Sequence, residues 1–209
     1  MFMDLPLIFF KIIVLVFSVV IHEVSHGFVA EHLGDPTARQ AGRLTLNPLK
    51  HLDLFGSVIL PLMMAILPGG VILGWAKPVP YNPQNLKNPE KGGAIIAAAG
   101  PLSNLALAII FGLVYRLFAS FTLGNNFQVL PELLNMIILV NISLAVFNLV
   151  PIPPLDGSKV LFLFLPLSAR NFRNWLEQHG FIILLIFIFF GFELIIPIII
   201  FLYRLILGF

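Results

Sequence analysis

A chain of 209 residues that is 59% hydrophobic and 11% charged, with mean hydropathy +1.00, is excluded from the soluble globular class. Soluble domains carry roughly a quarter of their residues as charges, and a core of this size cannot bury so much apolar surface. A formal charge of +2 and a pI near 9.1 point to no acidic or nucleic-acid partner, since membrane proteins keep Lys and Arg in cytoplasmic loops. With no cysteine, disulfides and thiolate metal sites are also excluded, so any metal must sit on His, Asp or Glu.

The first apolar run, Leu5 to Glu31, is long enough to cross a bilayer core. The residues before and within its start lack a basic n-region and a small-residue cleavage site, so it reads as a first span rather than a removed signal peptide. It carries "HEVSH", His22 to His26. On a helix, positions i and i+4 lie about 40° apart, so both imidazoles reach one Zn2+ while Glu23 flanks the open position as a general base. Ionisable residues inside a span are costly and functional by default. Catalytic zinc takes a third protein ligand. His32 is placed where some soluble HExxH enzymes have theirs, but Val29 stands at the glycine position that would turn the chain. An unbroken helix puts His32 about 240° around and about 9 Å along from His26, which makes it an interfacial helix end. His51 is a weaker candidate.

Leu54 to Leu73 is apolar but holds Pro61, Pro68, Gly69 and Gly70, so it either crosses with a break or re-enters. If it re-enters, Arg39, Arg43, Lys50, Lys77, Lys87, Lys91, Lys159, Arg170 and Arg173 share one side against Lys11, Arg116 and Arg204. Nine against three is the bias the positive-inside rule prefers, so the expectation is re-entry, with both termini extracytoplasmic. "GWAKPVPYNP", Gly74 to Pro83, follows as an extended segment.

Further spans are expected at Gly93–Phe121, Leu130–Val150 and Phe181–Leu207, the last facing lipid or gating access. Nothing in the pattern assigns a role to Glu193 within it. Where the third span closes, "FNLVPIPPLDGSKV" unwinds the chain, because its prolines lack N–H donors. Irregular backbone at that depth must line a polar cavity. Asp156 is either an ordinary Asp-Gly turn or the carboxylate that completes a His₂-carboxylate set. Topology separates the two: with re-entry, two crossings lie between His26 and Asp156, which brings both to the cytoplasmic end.

"HEVSH" in a first span, "AAAGPLSNLALA" (Ala97 to Ala108) opening a later one and "NLVPIPPLDG" (Asn148 to Gly157) closing the next resemble the site-2 protease family of intramembrane zinc metalloproteases. The resemblance runs from about Val19 to Lys159. It implies that His22, His26 and Asp156 hold one Zn2+ per chain, that Glu23 is the base, and that Asn148 and Asn104 lie near the bound peptide. Val79, Pro80, Tyr81 and Asn82 would then receive substrate as an added strand. Read from the residues alone, Asn104 is helix-packing glue beside Gly100. No stretch has the length of the PDZ or CBS domains that many members carry, which implies a compact member.

The expectation is therefore a single all-α polytopic domain, with about four transmembrane helices and a re-entrant and extended membrane-associated segment. Its activity is hydrolysis of peptide bonds in single-span membrane proteins, in a bacterial or archaeal cytoplasmic membrane with the active site towards the cytoplasm. The alternative is a non-proteolytic metal-binding membrane protein or transporter. Against that, no repeat is visible, and binding alone has no use for Glu23.

Overall fold

A computed structural model of the protein describes residues 5–53, 77–120 and 129–208. Helices make up most of the described residues, and four of them are long and apolar enough to cross a membrane. This is a multi-pass membrane protein. The expected re-entrant element at 54–73 and the start of the extended segment at 74–76 lie outside the described residues. On either side of that interval, the Lys77 N–H donates to the His51 carbonyl at 2.8 Å, so the two flanks lie together.

Helix α1 spans Leu5–His32. It ends at Gly34, whose φ of +102° only glycine adopts without strain. The Asp35 N–H reaches back to the Ala30 carbonyl at 2.9 Å and the Gly34 N–H to Glu31 at 3.0 Å, closing orphan carbonyls of the last turn. Helix α2, Pro89–Ser120, begins where Asn88 accepts the Lys91 N–H at 3.0 Å, with proline in the first helical position. Pro101 lies inside α2 and removes one N–H from its ladder. Helix α3 is Val129–Asn148, and the prolines of 151–154 follow it.

Helix α4 is the short Asp156–Phe164. Its second residue must be glycine, since a Cβ at Gly157 would overlap the carbonyls of Leu149 and Val150. The last apolar stretch is not one uninterrupted helix. Helix α5, Arg170–Ile186, passes through a π turn (Phe187–Gly191) and a 3₁₀ turn (Phe192–Leu194) into α6, Ile196–Leu207. Glu193 lies exposed in that interruption.

Helix α2 is the hub, packing against α1, α3, α4 and α6. The core joins Ala108, Ile138, Ile142, Val146, Leu184 and Ile199. Large apolar side chains such as Leu5, Phe9, Leu113, Phe190 and Phe201 face outwards, as a helix array in hydrocarbon requires.

Candidate metal centre and active site

Helix α1 brings His22, Glu23 and His26 to one end of the bundle. The imidazoles sit edge to face, with ring centroids 4.7 Å apart. The unwound chain after α3 carries Asp156 to the same point. Its Oδ2 is 3.1 Å from His22 Nε2 and 3.3 Å from His26 Nε2. Burial pushes the Asp156 carboxyl up, but hydrogen bonding and charge from the two imidazoles outweigh it and hold the group at about 2, so it is a carboxylate.

The far nitrogen of each ring is committed elsewhere. His22 Nδ1 lies 2.6 Å from Asn104 Oδ1, and His26 Nδ1 lies 2.6 Å from the Ile96 carbonyl. Both partners only accept, so both Nδ1 atoms carry a proton and Nε2 is the nitrogen left to face Asp156. Two Nε2 atoms and a carboxylate oxygen therefore converge, an arrangement that needs protons on those nitrogens or one cation between them. The donor set is the His₂-carboxylate type of catalytic zinc, with the outer ring nitrogens anchored as such sites require. Gly100 of α2 leaves the necessary space. A Cβ there would lie 2.5 Å from both Nε2 atoms.

Glu23 offers a competing donor, since its carboxylate and the two imidazoles have ligand atoms within 4.8 Å of one another. Its Oε2, however, accepts the Val79 N–H at 2.9 Å, which turns the carboxylate towards the extended segment. Asp156 is the group that touches both Nε2 atoms, while Glu23 stands beside them. A cavity of about 180 Å³ opens over these groups, with Val79, Tyr81, Ala97, Asn148 and Lys159 in its wall. The Lys159 ammonium stands 5.0 Å above the Tyr81 ring.

Other expected residues fall in different places. His32 is exposed at the last residue of α1 and takes no part in the cluster. His51 is buried in a loop with Nε2 on the Thr45 carbonyl at 2.9 Å. Asn148 lines the cavity and donates to the Leu144 carbonyl. Asn104 is not in the cavity wall. It is fully buried behind His22, and its amide is spent on His22, Ser18 and Asn141, so no polar atom is left for a peptide. Of the four strand residues, Val79 and Tyr81 line the cavity, while Pro80 and Asn82 do not.

Asp35 holds that segment in place. Completely buried, it accepts from the backbone of Thr37 and Asn82 and from the side chains of Thr37 and Asn85. Burial alone would raise its carboxyl, but these bonds outweigh it and keep the group below the ordinary carboxylate range. Asp35, Lys159, Ser18 and Asn141 carry no sequence motif, and only the fold reveals them.

The model of peptidase family M50 matches residues 10–130 and 125–187. The chain belongs to peptidase family M50. It is 38% identical over 194 residues to YwhC of Bacillus subtilis, a protein named as a candidate zinc metalloprotease, covering 89% of this chain and 83% of that one. It is 30% identical to Rip2 of Mycolicibacterium smegmatis, named likewise, over 81% of this chain and 62% of the relative. A third relative so named, MJ0611 of Methanocaldococcus jannaschii, is 33% identical over 71% of each chain. No solved structure matches this M50 chain. Membership makes it a zinc metalloprotease, and the His22–Glu23–His26 cluster is consistent with an HExxH motif.

Proposed function

We infer that this M50 protease binds one Zn2+ per chain through His22, His26 and Asp156 and cuts single-span helical proteins within the membrane. One observation carries the reading: two imidazole nitrogens and a carboxylate oxygen converge beside a positioned glutamate, inside an array of membrane-spanning helices. Bound zinc supplies Lewis acidity, which makes water a nucleophile near neutral pH and polarises the scissile carbonyl. Glu23 takes the proton from the attacking water and returns it to the leaving amine nitrogen. Val79 N–H holds the Glu23 carboxylate at the cavity wall for that transfer. A helical substrate hides its carbonyls in its own ladder, so it must unwind first. The extended segment with Val79 and Tyr81 at the cavity offers strand bonds in exchange.

Purified protein in proteoliposomes with a single-span reporter is expected to release two fragments, to stop on chelation and to resume when one equivalent of zinc per chain is restored. If zinc-loaded protein cut only soluble peptides, the substrate assignment would fall. The cytoplasmic orientation of the site is part of this reading: with re-entry at 54–73, nine of the twelve Lys and Arg residues share its side, the bias that the positive-inside rule prefers. Because the chain has no native cysteine, Arg170→Cys is expected to react with an impermeant maleimide only from the cytoplasm. Labelling from outside intact cells would reverse the orientation.

A further inference from the structure

We propose that Asn141 and Ser18 are positioning residues of the zinc site. Acting through Asn104, they decide which nitrogen of His22 carries the proton and therefore which one meets the metal. The inference rests on His22 being a zinc ligand, as argued above.

The three residues come from three helices, Ser18 from α1, Asn104 from α2 and Asn141 from α3. They are 4%, 0% and 1% exposed in an otherwise apolar interior. None of them lines the cavity. Every polar atom of the two amides is used, and the directions follow from one fixed point. The Ile137 carbonyl can only accept, so Asn141 must turn its NH₂ that way, at 2.9 Å. The second N–H of Asn141 reaches Ser18 Oγ at 3.0 Å. This leaves Asn141 Oδ1 facing Asn104, whose NH₂ donates to it at 2.9 Å and to the Ser18 carbonyl at 3.2 Å. Asn104 Oδ1 is then the atom that meets His22 Nδ1 at 2.6 Å. A carbonyl oxygen cannot donate, so Nδ1 holds the proton and Nε2 keeps its lone pair for the metal.

Turning the Asn104 amide over would reverse this. Its NH₂ would face Nδ1, the proton would move to Nε2, and the position opposite Asp156 would be blocked. The same turn would set the Asn104 oxygen against the Asn141 oxygen and the Ser18 carbonyl, with no bulk water to relieve the contact. His26 needs no such device, because its acceptor is the Ile96 backbone carbonyl, which cannot turn. Polar residues between membrane helices also serve simply as packing glue. Glue, however, works with either amide orientation and does not require the network to end on a ligand's ring.

Zinc affinity of the full-length protein, measured by competition with a chromophoric chelator, tests the assignment. Asn141→Leu is expected to weaken binding about 10- to 100-fold, the usual effect of losing a ligand's outer partner. Adding Asn104→Asp to Asn141→Leu is expected to restore it, because a carboxylate presents oxygen to Nδ1 whichever way it turns. Wild-type affinity in Asn141→Leu, or a loss that Asn104→Asp does not recover, overturns the proposal in favour of packing alone. Should Asn141→Leu fail to fold, ¹⁵N NMR of the zinc-free wild type decides. His22 Nδ1 is expected to carry a proton, and an Nδ1 without one overturns the proposal. A wild type that binds no zinc at all would instead remove the proposed function.

Discussion

Glu23→Gln is expected to lose proteolysis by at least about 10²- to 10⁴-fold, the usual share of a general base, while its zinc content stays at the wild-type level. The substitution isolates chemistry from structure unusually well at this position. A glutamine can still accept the Val79 N–H through its side-chain oxygen, so the extended segment stays attached, and His22, His26 and Asp156 are untouched. What disappears is a group able to receive a proton from water. Parallel cleavage assays and metal analysis separate the outcomes. Full activity would remove Glu23 from the reaction, and a fall in zinc content would make it a ligand, the competing role its position beside the imidazoles permits.

Gly100→Ala carries the other large effect. The methyl group would lie 2.5 Å from Nε2 of both histidines, closer than side-chain contacts in proteins come, and it would fill the place where the three donors converge. The rings cannot swing aside, because each is tied at its far nitrogen by a 2.6 Å bond. Alanine favours a helix over glycine by roughly 0.5–1 kcal/mol, so α2 itself gains and the damage is local. The variant is expected to run as a folded protein that retains no zinc after dialysis and cuts nothing. Gly93→Ala is the matched control. Its methyl would meet only the Tyr81 hydroxyl, at an ordinary 3.5 Å, and zinc binding should persist. A zinc-loaded, active Gly100→Ala protein would show that the donors meet elsewhere.

What could be read from the sequence divides along physical lines. His22, Glu23 and His26 are legible because one helical turn determines their relation, and a five-residue motif carries it. Asp156 is legible for a different reason: proline-rich backbone at a span's end needs a polar cavity, and counting crossings places that cavity beside the histidines. A substrate role for Asn104 comes only by resemblance, whereas its contacts depend on how α1, α2 and α3 are rotated. Ser18 and Asn141 lie 123 residues apart, each a lone polar residue in an apolar run, and no local pattern joins them. Asp35 passes for an ordinary residue after a helix end until Asn82 and Asn85 fold over it. The interruption at 187–194 contains no proline, so the run reads as continuous.

Pro101 has a consequence for the cleft. A proline inside a helix leaves the carbonyl four residues earlier without the donor that the helix would have supplied. In α2 that carbonyl belongs to Ala97, a residue of the cavity wall, next to the Ile96 carbonyl already given to His26. Proline thus takes one backbone donor out of α2 where the helix borders the cavity, beside a carbonyl that also accepts from His26, so the backbone of this wall is polarised towards the site by its own sequence.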